Sequence, residues 1–213
     1  MGEFDKVPYL PWPGNKDKVF TGGFLRGPSV ALLDNWLRNS GCDALLSEAY
    51  KEAADMIVSY IEDGGSKYNH AGLYFFPVAY LYRHSFELCL KQLIYQGVEL
   101  RILEENNALK KLLSEHRLYP LWDKVRVVLE NVYPDGNQDD IKNVDRLIQE
   151  IHKLDDSGQK FRYPKDKNGK PTTVELPMTV DLSAMKKTCN NLFSFFVACE
   201  AALSELPDLR GLF

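Results

Sequence analysis

The stretch Leu73 to Gly97, LYFFPVAYLYRHSFELCLKQLIYQG, leaves a helix almost no arc to give to water. At about 100° per residue, Val78, Ala79, Leu81, Phe86, Leu88, Cys89, Leu90 and Leu93 cover well over half of its circumference. Such a helix must be enclosed by others on most sides. The remaining arc, roughly a third of the circle, gathers Tyr80, Arg83, His84, Glu87, Lys91 and Tyr95 into one strip at three- and four-residue spacing. That strip is either an internal ion-pair ladder running from Arg83 through Glu87 to Lys91, or the wall of a site.

The rest of the chain supplies helices to enclose it. Residues 1–28 hold four prolines and five glycines and read as an arm without regular structure, carrying Tyr9, Trp12, Phe20 and Phe24 for packing on a surface. A short helix is expected from Ser29 to Arg38. Asp43 can cap the next, Ala44 to Glu62, with Leu46, Ala49, Tyr50, Ala53, Ile57, Tyr60 and Ile61 as its inward stripe. Pro77 is expected in the opening turn of the central helix. Beyond Gly97 the segment VELRILEENNALKKLL is mixed in character and reads as partly helical. HRLYP then introduces a helix with Leu121, Trp122, Val125, Val128 and Leu129 on one face. Another, Asp139 to Leu154, turns Ile141, Val144, Ile148 and Ile151 to one side and is closed by Asp156-Ser157-Gly158. In KFRYPKDKNGKPTTVEL an Asn-Gly turn between two β-prone runs predicts a hairpin. Asp181 caps the last helix, Leu182 to Leu206, with Leu182, Met185, Cys189, Leu192, Phe193, Phe196 and Leu203 inward. The fold class expected is all-α: one domain over residues 29–213, a bundle of about five to six helices with a small β-hairpin insertion before the C-terminal helix. A chain of 213 residues with 45% hydrophobic content can bury a core of that size.

Composition narrows the chemistry. A net charge of -4 excludes a protein that coats nucleic acid indiscriminately, though a local basic groove stays open to it. The four cysteines show no CxxC spacing and no histidine partner, so they read as small buried hydrophobes in a reducing compartment. The longest apolar run is too short to span a bilayer and the first residues lack a signal-peptide core, so a soluble cytoplasmic protein is expected. There is no HExxH, GxGxxG, Walker loop or GxSxG, and no metal or cofactor is expected.

Two groups of side chains can carry a function. Lys160, Arg162, Lys165, Lys167 and Lys170 stand against one acid, Asp166, with Phe161 and Tyr163 between them. Cations for phosphates interleaved with stacking rings is the pattern of single-stranded RNA contact; lysines solvating a hairpin tip give the same pattern. The second group is histidine with arginine: His84 in the polar strip, His116 at a helix start, and the pair Arg146 and His152. In one straight helix Arg146 and His152 point about 120° apart and lie about 9 Å apart along the axis.

The run YLYRHSFELCLKQLI, then HRLYPLW, then FRYP, then a long amphipathic C-terminal helix, together resemble the HEPN family of small helical-bundle domains. The matching positions are Glu87 and Lys91, four apart on one helix, His116 and Leu118 at the start of another, and Arg162-Tyr163-Pro164 before the last. The resemblance covers roughly Tyr80 to Leu203 and implies a four-helix core that commonly dimerises, in a group rich in RNA-cleaving toxins, anti-phage effectors and non-catalytic relatives. Its nuclease members carry an arginine, then four to six residues of which the first is usually polar, then a histidine. Arg146 and His152 fit the spacing, with Leu147 in place of the polar residue. The resemblance thus implies a homodimer that engages RNA or a nucleotide, in its catalytic form a metal-independent endoribonuclease, with a cognate antitoxin or other protein partner. Arg146 and His152, or alternatively His84 and His116, would be catalytic. Arg83, Glu87, Lys91, Lys160, Arg162, Tyr163 and Lys165 would bind. The other expectation is a non-catalytic module for protein interaction or small-molecule binding, in which Arg83, His84, Glu87, His116 and Arg162 form a structural polar network.

Overall fold

A computed structural model describes residues 43–65, 71–136, 138–163, 165, 168–172 and 179–206. Within them lie six helices: α1 Asp43–Glu62, α2 Ala71–Glu99, α3 Asn107–Ser114, α4 Leu118–Val132, α5 Gln138–Leu154 and α6 Leu182–Ser204. The expected arm over 1–28 and the helix from Ser29 to Arg38 lie outside the described residues.

Helix α2 is the axis of the bundle. Residues Ser85 to Leu90 are buried without a break, which a helix tolerates only when neighbours close on it from several directions. Those neighbours are α1, α4 and α6, while α5 packs on α4 and α3 closes against the same helix. Aromatic rings join three of the layers: Phe196 of α6 meets Phe86 of α2 at 6.0 Å and Trp122 of α4 at 6.3 Å between centroids. Gly97 permits the closest approach of α4, since a Cβ there would stand 2.4 Å from Cγ2 of Val128.

Polar side chains fix the register of the layers. The Tyr82 hydroxyl donates to Asp55 Oδ1 at 2.5 Å, and Asn190 Nδ2 donates to the same oxygen at 2.9 Å, tying α2 and α6 to α1. Asp145 of α5 accepts from the Trp122 indole of α4 at 3.1 Å. Gln96 Nε2 reaches Ser204 Oγ at 2.7 Å. Asp181 caps α6 as expected, its Oδ1 accepting from the Ala184 amide at 3.0 Å.

Of four local expectations, three change and one is met. The fully buried line of α1 is Ser47, Ala54 and Val58; Ile57 and Ile61 of the expected stripe pack partly buried against the core, while Leu46 and Tyr60 are exposed along with Leu45 and Met56. Small side chains let two helices approach closely, and this outweighs the larger apolar residues one position away. Pro77 lies inside α2, past its first turn. Its ring leaves the Leu73 carbonyl without an intrahelical donor, and Leu73 and Pro77 are both exposed, so water can take that place. The mixed segment after Gly97 is partly helical, as expected: α3 starts within it because Asn106 caps it by accepting from the Leu109 amide at 3.0 Å. The hairpin is not seen: among the described residues the insertion holds one isolated antiparallel bridge, Lys165 with Pro171, and no strand. Proline has no N–H to extend a ladder. The expected second strand, TTVEL, lies outside the described residues beyond Thr172.

A candidate site at the Glu87–His116 edge

The strip on α2 is an ion-pair ladder, and it reaches further than its own helix. Arg83 Nη1 donates to Glu87 Oε2 at 3.1 Å, and Lys91 Nζ donates to Glu87 Oε1 at 2.8 Å. Arg83 and Glu87 each leave 2% of the side chain to solvent. From the far end of α5 comes Asp155, completely buried, whose Oδ2 stands 3.2 Å from Arg83 Nε. That contact is ionic without hydrogen-bond alignment; the Nε proton is directed at the Asp155 carbonyl, 3.4 Å away. The other oxygen, Oδ1, accepts from the amides of Gln159 at 2.9 Å and Lys160 at 3.0 Å. Two cations thus face two carboxylates, which is how a buried helix can keep these charges.

His116, in the connection before α4, is held to this ladder at three points. Its Nδ1 lies 2.8 Å from Glu87 Oε1. Arg83 Nη2 donates to its carbonyl. Gly158 packs against it from the side: a Cβ at Gly158 would stand 3.0 Å from His116 Cβ and 2.9 Å from Arg83 Nη1. Gly158 also has φ +73°, a left-handed conformation that opposes side chains, so both backbone and space demand glycine. Yet 56% of the His116 side chain faces solvent. Burial pushes the Glu87 carboxyl up, but the Lys91 and His116 contacts outweigh it and hold the group below its usual value, as a carboxylate. A carboxylate can only accept, so the proton between them sits on Nδ1, and Nε2 is the ring nitrogen that takes no part in this contact.

Beside this edge runs a row of rings and a guanidinium. Tyr50 of α1 meets the His84 ring edge-on at 4.5 Å, His84 stacks on Tyr80 at 5.7 Å, and the Arg162 guanidinium lies 5.9 Å from Tyr80 and 6.0 Å from Tyr163. Arg162 is anchored by donating from Nε to the Gly158 carbonyl at 3.1 Å, which ties it to the loop that packs on His116. Burial lowers the pKa of His84, with the cations Lys91 and Arg83 acting in the same direction and Glu87 against them. Asp43, at the start of α1, feels Lys91, His84 and Glu87; burial raises its pKa, against the pull of Lys91 and His84.

The other expected residues are placed elsewhere. Arg146 and His152 are not brought together: α5 is continuous through both, so their side chains diverge as helix geometry requires. Arg146 faces Glu150 at 3.8 Å, whereas His152 packs on Tyr119 and has a buried Nδ1 without a hydrogen-bond partner. Phe161 is no stacking platform, because it is buried against Phe75 with centroids 6.0 Å apart. Lys160 pairs with Asp156 at 3.5 Å, and Lys165 is exposed. Asp155 joins the site without having stood out in the sequence, and Gly158, legible there only as the close of α5, joins it as well; an aspartate three residues before a glycine at a helix end is a recognisable turn. Among the described residues no three of His, Cys, Asp and Glu gather as metal ligands, and no helix is long and apolar enough to cross a membrane. No family model, no curated protein and no solved structure matches the chain.

Proposed function

We propose that the protein is an HEPN-like helical module that engages RNA at the His116 edge and cleaves it without metal, with Glu87 and His116 as the working pair in place of Arg146 and His152. The observation that carries this reading is a ring more than half exposed whose Nδ1 is held by a buried carboxylate. An exposed histidine with no task has no need of anchors at its ring nitrogen, its carbonyl and its Cβ. A carboxylate at Nδ1 fixes the tautomer and stabilises the imidazolium formed when Nε2 takes a proton.

In that role Nε2 accepts the proton of a ribose 2′-hydroxyl as its oxygen bonds to the adjacent phosphorus. The bond from phosphorus to the 5′-oxygen breaks, and that oxygen leaves with a proton from water. The products are a 2′,3′-cyclic phosphate and a 5′-hydroxyl. Lys91, fixed on Glu87, and Arg162, fixed on Gly158, supply positive charge for the phosphorane. Tyr163 and the Tyr80–His84 stack offer faces for bases. The family resemblance supports a cytoplasmic homodimer, in a toxin–antitoxin or anti-phage setting, with an antitoxin or other protein partner.

The test is incubation of short RNAs with the full chain in EDTA, followed by analysis of product ends. Cyclic phosphate termini that vanish with His116→Ala and persist with Arg146→Ala and His152→Ala are expected. The second reading, a non-catalytic module with a structural polar network, is favoured by the complete pairing of Arg83, Glu87 and Asp155. Intact RNA after exposure to folded wild type would select it.

A further inference from the structure

Helices α5 and α6 do not close on one another, and the space between them is a cavity of about 420 Å³. Its floor is α2, through Phe75, Ala79 and Phe86; Phe161 and Leu192 make apolar walls. Cys189, also in the wall, is a neutral thiol because burial pushes it up to about 12. The mouth lies between Arg146 and Glu150 of α5 and the exposed Ala184 and Thr188 of α6. Apolar walls around unfilled space forgo the contacts that a packed interior makes, so the space favours an apolar occupant.

The two arginines at this cavity differ in what they can offer. Each of the three nitrogens of Arg83 already donates, to Glu87, to the Asp155 carbonyl and to the His116 carbonyl. Arg146 is 67% exposed at the mouth, and its pairing with Glu150 is long, at 3.8 Å. A stretched, exposed pair of this kind contributes little and yields readily to a competing anion.

We infer that the cleft between α5 and α6 binds a small amphipathic anion, its hydrocarbon body among Phe75, Phe86, Phe161 and Leu192 and its single carboxylate or phosphate head on Arg146. This site is independent of the His116 edge, and it gives Arg146 a role as a ligand-binding residue. Glu150 sets a limit on the head: one negative charge displaces it from Arg146, whereas a cationic head would leave Arg146 facing a like charge at the mouth.

The experiment is calorimetric titration of the full chain with decanoate below its micelle concentration, and with 1-decanol as the uncharged probe. Saturable one-to-one binding of decanoate with a negative heat-capacity change is expected. Arg146→Gln should weaken decanoate about tenfold and leave decanol unchanged, as the loss of one charge-assisted contact requires. Ala184→Phe and Thr188→Trp, both at exposed positions on α6, should weaken both probes by narrowing the mouth. Failure of folded wild type to bind either probe overturns the site. Binding that ignores both bulky substitutions overturns its location, and equal affinity of wild type and Arg146→Gln for decanoate overturns the role of the head.

Discussion

Glu87 Oε1 and His116 Nδ1 lie 2.8 Å apart across 29 positions of sequence, one side chain almost wholly buried and the other more than half exposed. The same oxygen accepts from Lys91, and the other oxygen of Glu87 accepts from Arg83. One carboxylate therefore neutralises part of the core and presents a histidine to solvent.

Glu87→Ala leaves Arg83 buried with one carboxylate fewer, and releases Lys91 and His116. The expected loss of stability is about 3 to 5 kcal/mol in a urea melt. A loss under about 1 kcal/mol, the range of exposed pairs, would contradict a buried ladder.

Gly158→Ala carries two costs, a left-handed backbone and a clash with Arg83 and His116. The first alone is about 1 to 3 kcal/mol. Gly169 has φ +77° and nothing within 4 Å of its would-be Cβ, so Gly169→Ala isolates that term. Urea melts of the two variants should differ, with Gly158→Ala the less stable; equal losses would mean that the loop does not press on the site.

The bundle and most inward faces were legible in the sequence because period and burial coincide over long helices such as α2 and α6. The stripe of α1 is legible only in part: Ile57 and Ile61 pack against the core, but Ser47 and Ala54, small enough for close approach, take the contact in preference to Leu46 and Tyr60. At the site, Arg83, Glu87 and Lys91 were visible as one strip, since i and i+4 spacing brings them together within a single helix. His116 and Asp155 are brought to that strip from other elements, and no local period records a contact between residues 29 or 72 positions apart. Arg146 and His152 show the converse: a motif spacing satisfied in sequence whose side chains an unbroken helix keeps apart.

Acid should weaken the fold in two stages. Burial holds His84 and His152 below the usual value of 6.5, so the unfolded chain takes up protons first as pH falls through 6.5, and stability drops there. Glu87, held below 4.5 because its Lys91 and His116 contacts outweigh the effect of burial, adds a second loss in the more acid range. Asp43 and Glu200, raised by burial, protonate earlier when folded and return part of that loss. Urea midpoints measured between pH 7.5 and 5.5 should fall, and His84→Gln should flatten the slope. A flat profile in wild type would contradict the buried histidines.

The three cysteines among the described residues should be slow towards thiol reagents. Burial pushes Cys89 and Cys189 up to about 12 and Cys199 up to about 11, so little thiolate exists near neutrality. Ellman titration at pH 7.5 should leave these three unlabelled in the native protein and label them promptly in urea. Fast native labelling of Cys89 or Cys189 would show that the core around α2 and α6 opens.

Whether His116 moves a proton at Nε2 is tested most directly by imidazole rescue of His116→Ala. With RNA in EDTA, His116→Ala should lose at least about 100-fold in cleavage rate, the contribution of a positioned general base, and added imidazole should restore part of it in proportion to its unprotonated fraction. Cleavage by a folded His116→Ala protein at the wild-type rate, or loss that imidazole does not restore, would contradict the assignment of His116 as the base.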